Sequence, residues 1–336
     1  MRQQNRIMGE DGLALGLRNF WYPVFRSADL GSKPVSVKYL GEDLVLWRDG
    51  KGRPRLFTDY CPHRAGRLSL GQIHGDVLQC WYHGWQFDGT GQCCLIPTEG
   101  AQSSRAKRLR ALSYPVEEQG GLIWGYLGDV EKFSPPPLRV PQELVSDEWQ
   151  RFILPVTWGF NWLLMLDNLV DPLHAPFLHA RTYTLSRGLR QDTLRVTETD
   201  YGLFVEREAQ KLVNFDYVEY HFPNWFRLDI PYPWSAGPGG PMRILVLLCP
   251  IDAQSCQVYM VRKRRITGWK WWIWWALWQL RLERKMWQVI DQDEAILLSQ
   301  RGSEALASEY LVQGDAGLVT LRNLFRQAVA QGRDKA

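Results

Sequence analysis

Six cysteines in 336 residues (Cys61, Cys80, Cys93, Cys94, Cys249 and Cys256) are too sparse for a disulfide scaffold. Long apolar runs are missing too: the longest, Trp271 to Trp278, has eight residues, against the roughly 20 needed to cross a bilayer. The opening stretch MRQQNRIMGEDG carries no apolar segment of the secretory-signal kind. Together these shortages predict a reducing, cytoplasmic setting and no transmembrane helix. Charge of one sign is also scarce. A formal net charge of +4 is too small to call for nucleic acid, so no nucleic-acid partner is expected. Histidine is rare as well, with six in the chain, and there is no internal repeat.

What remains is an ordinary globular composition, 45% hydrophobic and 23% charged, with one oddity: 17 tryptophans, six of them between Trp269 and Trp278. A chain of 336 residues exceeds a comfortable single core, so two domains are expected. From about Asn19 to Asp129 short alternating runs (PVSVKYL, DLVLWRD, RLFTDY, GGLIWGYLG) are broken by Gly-rich turns, which predicts a small antiparallel β domain. Ser134-Pro135-Pro136-Pro137 can continue neither strand nor helix and reads as a linker. The division is therefore set at 1–130 and 131–336. In the second part, Trp158 to His179 reads as helix, about Thr193 to Arg264 as antiparallel strands, and Trp269 to about Gly302 as helix again, an α+β domain.

Two groups of residues carry chemistry. Cys61-Pro62-His63 and Cys80-Trp81-Tyr82-His83 each offer one thiolate and one imidazole. Such a set suits a [2Fe–2S] centre with two cysteines on one iron and two histidines on the other, because imidazoles in place of thiolates lower the negative charge and raise the potential. Gly66, Gly84 and Gly89 stand where the loops would turn tightly around it. Two Cys and two His also make a tetrahedral zinc site. Zinc fingers usually pair Cys with Cys and His with His, however, whereas each loop here is mixed.

In NLVDPLHAPFLHA, the residues Asn168, Asp171 and His174 are three apart and would share one helical face. His179 lies five beyond His174, about 140° away on an ideal helix. Pro176 is expected to bend the helix so that both imidazoles converge. Two histidines need one carboxylate to form the facial triad that leaves positions on Fe(II) open to O2. The candidates lie in VIDQDEAILLSQRG, on a helix expected to turn Ile290, Ala295, Ile296 and Leu297 inward; Asp293 is preferred, and spacing leaves Asp291 open. A single histidine is usually an ordinary hydrogen-bonded one, but four of the six fall in these two groups.

With CPHR, CWYHGW and NxxDxxHxxxxH in this order, the chain resembles the Rieske non-haem iron aromatic-ring-hydroxylating oxygenases over nearly its whole length. The likeness is to their α subunit, and by its compact length to the monooxygenase and demethylase members. The resemblance implies that Cys61 and Cys80 bind one cluster iron, His63 and His83 the other, and His174, His179 and Asp293 the mononuclear iron, Asp293 standing seven residues before Gln300. It also implies a helix-grip catalytic domain and a head-to-tail homotrimer in which Asp171, with Asn168 beside it in the motif, links His174 to His83 of the neighbouring subunit.

The expected function is thus oxidation of a small, largely apolar substrate by O2, through hydroxylation or oxidative demethylation. Two electrons would come from NAD(P)H through a separate reductase, with or without a ferredoxin, because the chain has no flavin or nucleotide motif of its own. The alternative is a Rieske-type electron carrier, which would need only the first domain. A zinc-stabilised binding module is the third reading, and it would be colourless. The tryptophan segment itself can rest on a membrane at the cytoplasmic face through Trp269–Trp278, line a substrate mouth or partner interface, or pack within the trimer.

Overall fold

The computed structural model describes residues 13–330 except 101, 131, 183–184, 214, 232–239 and 301–308. The chain divides into two compact units, Arg18–Val140 and the part from Pro141 onward. The described residues before Arg18 belong to the second unit. There the carbonyl of Leu13 accepts from the Trp162 indole, and that of Ala14 from the Asn161 amide. Against the expected division at 130, the break lies ten residues later. Ser134–Pro137 is exposed and irregular, and the chain stays with the first unit through Val140. Residues 1–12 of the expected N-terminal lead lie outside the described residues.

The first unit is built from eleven short strands, β1 (Phe20–Arg26), β2 (Val35–Tyr39), β3 (Glu42–Arg48), β4 (Pro54–Thr58), β5 (Gln72–His74), β6 (Val77–Gln79), β7 (Gln86–Asp88), β8 (Cys93–Leu95), β9 (Ser113–Tyr114), β10 (Val116–Gln119) and β11 (Leu122–Leu127). They form three antiparallel sheets, β1-β11-β10, β2-β3-β4-β9 and β5-β6-β7-β8. Val45, Trp47, Phe57, Leu78 and Phe87 make one core together with Cys61 and Cys80. The loop between β4 and β5 and the loop between β6 and β7 are therefore anchored at their cysteine ends.

In the second unit, after the short helix α1 (Gln142–Val145), seven strands form one antiparallel sheet. In chain order they are β12 (Trp149–Trp158), β13 (Leu194–Thr199), β14 (Gly202–Arg207), β15 (Tyr217–His221), β16 (Trp225–Ile230), β17 (Met242–Asp252) and β18 (Ser255–Arg265). Their spatial order is β12-β18-β17-β16-β15-β14-β13. The edge strand β13 alternates between half-buried and exposed, whereas β17 and β18 are buried almost continuously. Central strands lose the alternation expected of them because both faces are covered: Glu143 of α1 accepts from Arg227 and Arg243 on one side, and helices lie over the other.

Those helices are α2 (Trp162–Leu169), α3 (Ala175–Leu178), α4 (Lys270–Leu277) and α5 (Glu283–Ser299), with a π-helical turn, Trp278–Leu282, joining the last two. The fold is α+β, as expected. The stretch Trp158 to His179, expected as helix bent at Pro176, is a strand end and two helices, the first ending before Pro172. Asn161 starts α2 by accepting the Leu163 N–H at 3.0 Å, a side-chain cap for an otherwise unpaired donor. The helix ends at Leu169, and Pro172 follows before a second helix can begin. On α5, Ile290 and Leu297 face inward as expected, but Ile296 is 42% exposed and Ala295 is exposed. Residues 301–302, the end of the expected C-terminal helix, lie outside the described residues. No described helix is long and apolar enough to cross a membrane.

Candidate active site and metal centres

Cys61 and Cys80 begin two loops with the same backbone plan. The Cys61 N–H donates to the Gly66 carbonyl and the Cys61 carbonyl accepts from Ala65, both at 2.9 Å. In the second loop the Cys80 N–H donates to Trp85 and the Cys80 carbonyl accepts from Gly84, at 2.8 and 2.9 Å. In each case the residue four after the cysteine takes a left-handed backbone, Ala65 at φ 53° and Gly84 at φ 71°. Gly66 was expected to make this turn; Ala65 makes it instead. The first loop is tied down by fully buried Asp59, which accepts from the Ser69 N–H at 2.7 Å and from the Ser36 and Ser69 hydroxyls and Arg67.

The cysteines are buried, His63 is half-buried and His83 exposed. The His63 and His83 rings lie 4.6 Å apart, and His63 stacks on Trp85 at 4.3 Å. Burial, together with the facing Cys80 thiol, pushes the Cys61 thiol up to about 12, a cost that a bound cation would offset. Among the described residues these four donors do not gather within one 4.8 Å group, as ligands of a single tetrahedral zinc would. Instead they form a thiol pair and an imidazole pair, which fits a two-iron cluster with Cys61 and Cys80 on one iron and His63 and His83 on the other.

The second unit does gather three donors. Among the described residues, His174, His179 and Asp293 make up the group whose ligand atoms lie within 4.8 Å of one another. His179 Nε2 is 3.4 Å and His174 Nε2 3.9 Å from Asp293 Oδ1, a buried oxygen with no hydrogen-bond partner. An orphaned buried carboxylate oxygen facing two imidazoles is what a divalent cation would satisfy. Asp291, the alternative carboxylate, is exposed.

Both imidazoles are oriented from behind. His174 Nδ1 donates to the Asp171 backbone carbonyl at 2.5 Å, and His179 Nδ1 donates to Gln292 Oε1 at 2.9 Å. A carbonyl only accepts, so both Nδ1 atoms carry the proton and both Nε2 lone pairs face Asp293. Burial lowers the His174 pKa, favouring the neutral form that can bind a metal. His179 is raised, because its contact with Asp293 outweighs the opposing effect of burial. Two expectations need correction here. The contact from Asp171 to His174 is made by the backbone carbonyl, while the carboxylate sits 3.8 Å from Nδ1 and takes the Leu173 N–H at 2.7 Å. The bend comes from the break between α2 and α3; Pro176 lies inside the first turn of α3, with His174 and His179 flanking that helix.

The triad opens into a cavity of about 370 Å³ lined by Asn168 and Met165 of α2, by Phe215, by Leu228, Ile230, Ile244, Val246 and Met260 of the sheet, and by one side of α5 and the π-helical turn before it. Gln292 and Asp59 were not legible as functional residues. The only signal for Gln292 is that it adjoins Asp293, and Asp59 has none beyond its place two residues before Cys61.

Two family models match, the Rieske [2Fe-2S] domain over residues 20–113 and the vanillate O-demethylase oxygenase C-terminal domain over residues 158–331. The chain is 37% identical over 179 residues to the phenoxybenzoate dioxygenase subunit alpha of Ectopseudomonas oleovorans, covering 49% of this chain and 43% of that one. It is 35% identical over 202 residues to the 4beta-methylsterol monooxygenase of Methylococcus capsulatus, covering 59% and 52%. It thus spans about half the length of these relatives. In fold it matches the terminal oxygenase of carbazole 1,9a-dioxygenase from a Novosphingobium species, with a TM-score of 0.79, 21% identity, and 97% and 96% of the two chains covered. Because the oxygenase model alone spans more than half of the chain and the Rieske model precedes it in the order the motifs require, the protein belongs to the Rieske non-haem iron oxygenases, as a member of their α-subunit family.

Proposed function

We propose that this chain is an oxygenase component that uses O2 and two electrons from a separate NAD(P)H-dependent reductase, with or without a ferredoxin, to hydroxylate or oxidatively demethylate an apolar substrate. The observation that carries it is the convergence of His174, His179 and the unpartnered Asp293 oxygen at the end of an apolar cavity. A [2Fe–2S] cluster held by Cys61, Cys80, His63 and His83 supplies one-electron storage, and Fe(II) held by the triad supplies open positions for O2. The protein's own part is to keep both Nε2 lone pairs inward through Asp171 and Gln292, to exclude water with the Leu, Ile, Val and Met walls, and to place Asn168 beside the reacting carbon. A pure electron carrier would have no use for the triad or the cavity.

The exposed His83, with Trp81 at 70% and Tyr82 at 59% exposure beside it, offers a surface for electron exchange. In a head-to-tail trimer this surface meets Asp171 of the neighbouring subunit, whose carboxylate is one-third exposed. The tryptophan segment divides between two roles. Trp274 and Trp278 are buried against Phe152. Trp269, Trp272 and Trp275 face outward with Lys270 and Arg265 exposed nearby, which favours resting on an anionic membrane interface.

Anaerobic purification tests the main reading. About three irons per chain and a red-brown colour are expected, with O2-dependent product formation on addition of a surrogate reductase. Two irons per chain and no turnover would favour the carrier, and colourless protein with zinc would overturn both.

A further inference from the structure

The run of α4, the π-helical turn and α5 lines the cavity with a row four residues apart, Leu277, Arg281, Lys285, Val289 and Asp293. Neighbours in that row sit on successive turns, and Leu282, Met286 and Ile290 beside them widen it to a strip along the helix. The cavity is therefore a trough running along the helix, with the triad at one end. From Lys285 to Asp293 is eight residues of α5, about 12 Å at 1.5 Å per residue, and Arg281 lies another turn away in the π-helical segment.

Arg281, which is exposed, and Lys285, which is half-buried, are the arginine and lysine side chains of a mostly apolar lining whose other polar members are Asn168, Thr182 and the triad, and neither has an ion pair or hydrogen bond among the described residues. The only acidic residue on the described lining is Asp293, at the opposite end. An anionic group on the ligand would be attracted to the Arg281 and Lys285 end, where charge-assisted hydrogen bonds can form. The geometry points to an elongated, multi-ring apolar acid as the substrate class, its anionic group held by Arg281 and Lys285 while the carbon to be oxidised lies at the triad. A single-ring acid is too short to meet both ends. This assignment rests on the oxygenase reading for its reacting end, but the anion subsite is a matter of binding alone.

Binding can be measured on the holoenzyme, without O2 or reductant, by energy transfer from tryptophan to 1-pyrenebutyrate, with its methyl ester as the neutral control and benzoate as the short acid. The acid is expected to bind at least about tenfold more tightly than the ester, since charge-assisted hydrogen bonds are the stronger kind, and benzoate should not displace it. Arg281→Gln/Lys285→Gln should lose that preference while binding the ester as before, which also shows that the variant is folded. Arg284→Gln, exposed and outside the lining, should keep the preference.

Equal binding of acid and ester by the unmodified protein, a double variant that still prefers the acid, or loss of the preference in Arg284→Gln would overturn the subsite. The oxygenase reading fails separately: a protein that prefers the acid but holds no mononuclear iron would keep the subsite and lose the reaction.

Discussion

Removing the Gln292 acceptor should weaken the mononuclear site without touching the cluster. His179 is 2% exposed, and its Nδ1–H donates to Gln292 Oε1 at 2.9 Å. In Gln292→Leu that donor stays buried with nothing to bond, a cost of about 1–3 kcal/mol. The ring is also freed to turn or to change tautomer, so its Nε2 lone pair is no longer held toward Asp293. Loss of such an outer partner typically lowers metal affinity about 10- to 100-fold. At about 1.4 kcal/mol per decade this is about 1.4–2.8 kcal/mol, in line with the first figure.

The assay is anaerobic Fe(II) titration of protein stripped of its mononuclear iron, against a chromophoric chelator, with the cluster absorbance as internal control. Gln292→Glu keeps an acceptor and adds charge, so its affinity should equal or exceed that of the unmodified protein. If Gln292→Leu bound Fe(II) within twofold of the unmodified protein, the claim that Gln292 orients His179 would be wrong.

The two candidate carboxylates separate by the same titration: Asp293→Ala should lose at least about 100-fold in Fe(II) affinity, whereas Asp291→Ala should lose less than about twofold, because Asp291 is exposed. Asp171→Asn should retain both iron centres, since the acceptor for His174 is a backbone carbonyl that the substitution leaves in place. Its product formation should fall by at least about tenfold if the carboxylate serves the path between subunits; single-turnover transfer from a pre-reduced cluster at the normal rate would refute that. For the outward tryptophans, Trp272→Ser/Trp275→Ser should reduce co-sedimentation with phosphatidylglycerol vesicles several-fold while leaving the cluster spectrum unchanged. Equal sedimentation would assign those rings to another contact.

The cluster loops were legible from the sequence because each Cys–His pair is local. A cysteine and a histidine within four residues belong to one turn whatever surrounds them, and the Gly84 position already announced a left-handed backbone. Even there the detail differed, because Ala65 and not Gly66 takes the equivalent φ, a choice set by the hydrogen bonds around Cys61. The histidines of the second centre were legible for the same reason. Their carboxylate was only narrowed to two positions. Residues two apart on a helix point about 200° from each other, so which of Asp291 and Asp293 meets His179 depends on how α5 rolls against the sheet.

What the residue pattern could not carry was the direction of groups across elements. Asp171 lies three residues before His174, but the break between α2 and α3 turned its carbonyl, not its carboxylate, toward the ring. Gln292 meets His179 from 113 residues away, and no local spacing encodes that contact. The sequence by itself determined the donor types and their local turns, because these follow from covalent spacing and backbone sterics. The tertiary structure alone decided which lone pairs converge, which carboxylate is buried and how far the apolar trough extends, because those depend on the packing of helices over a sheet.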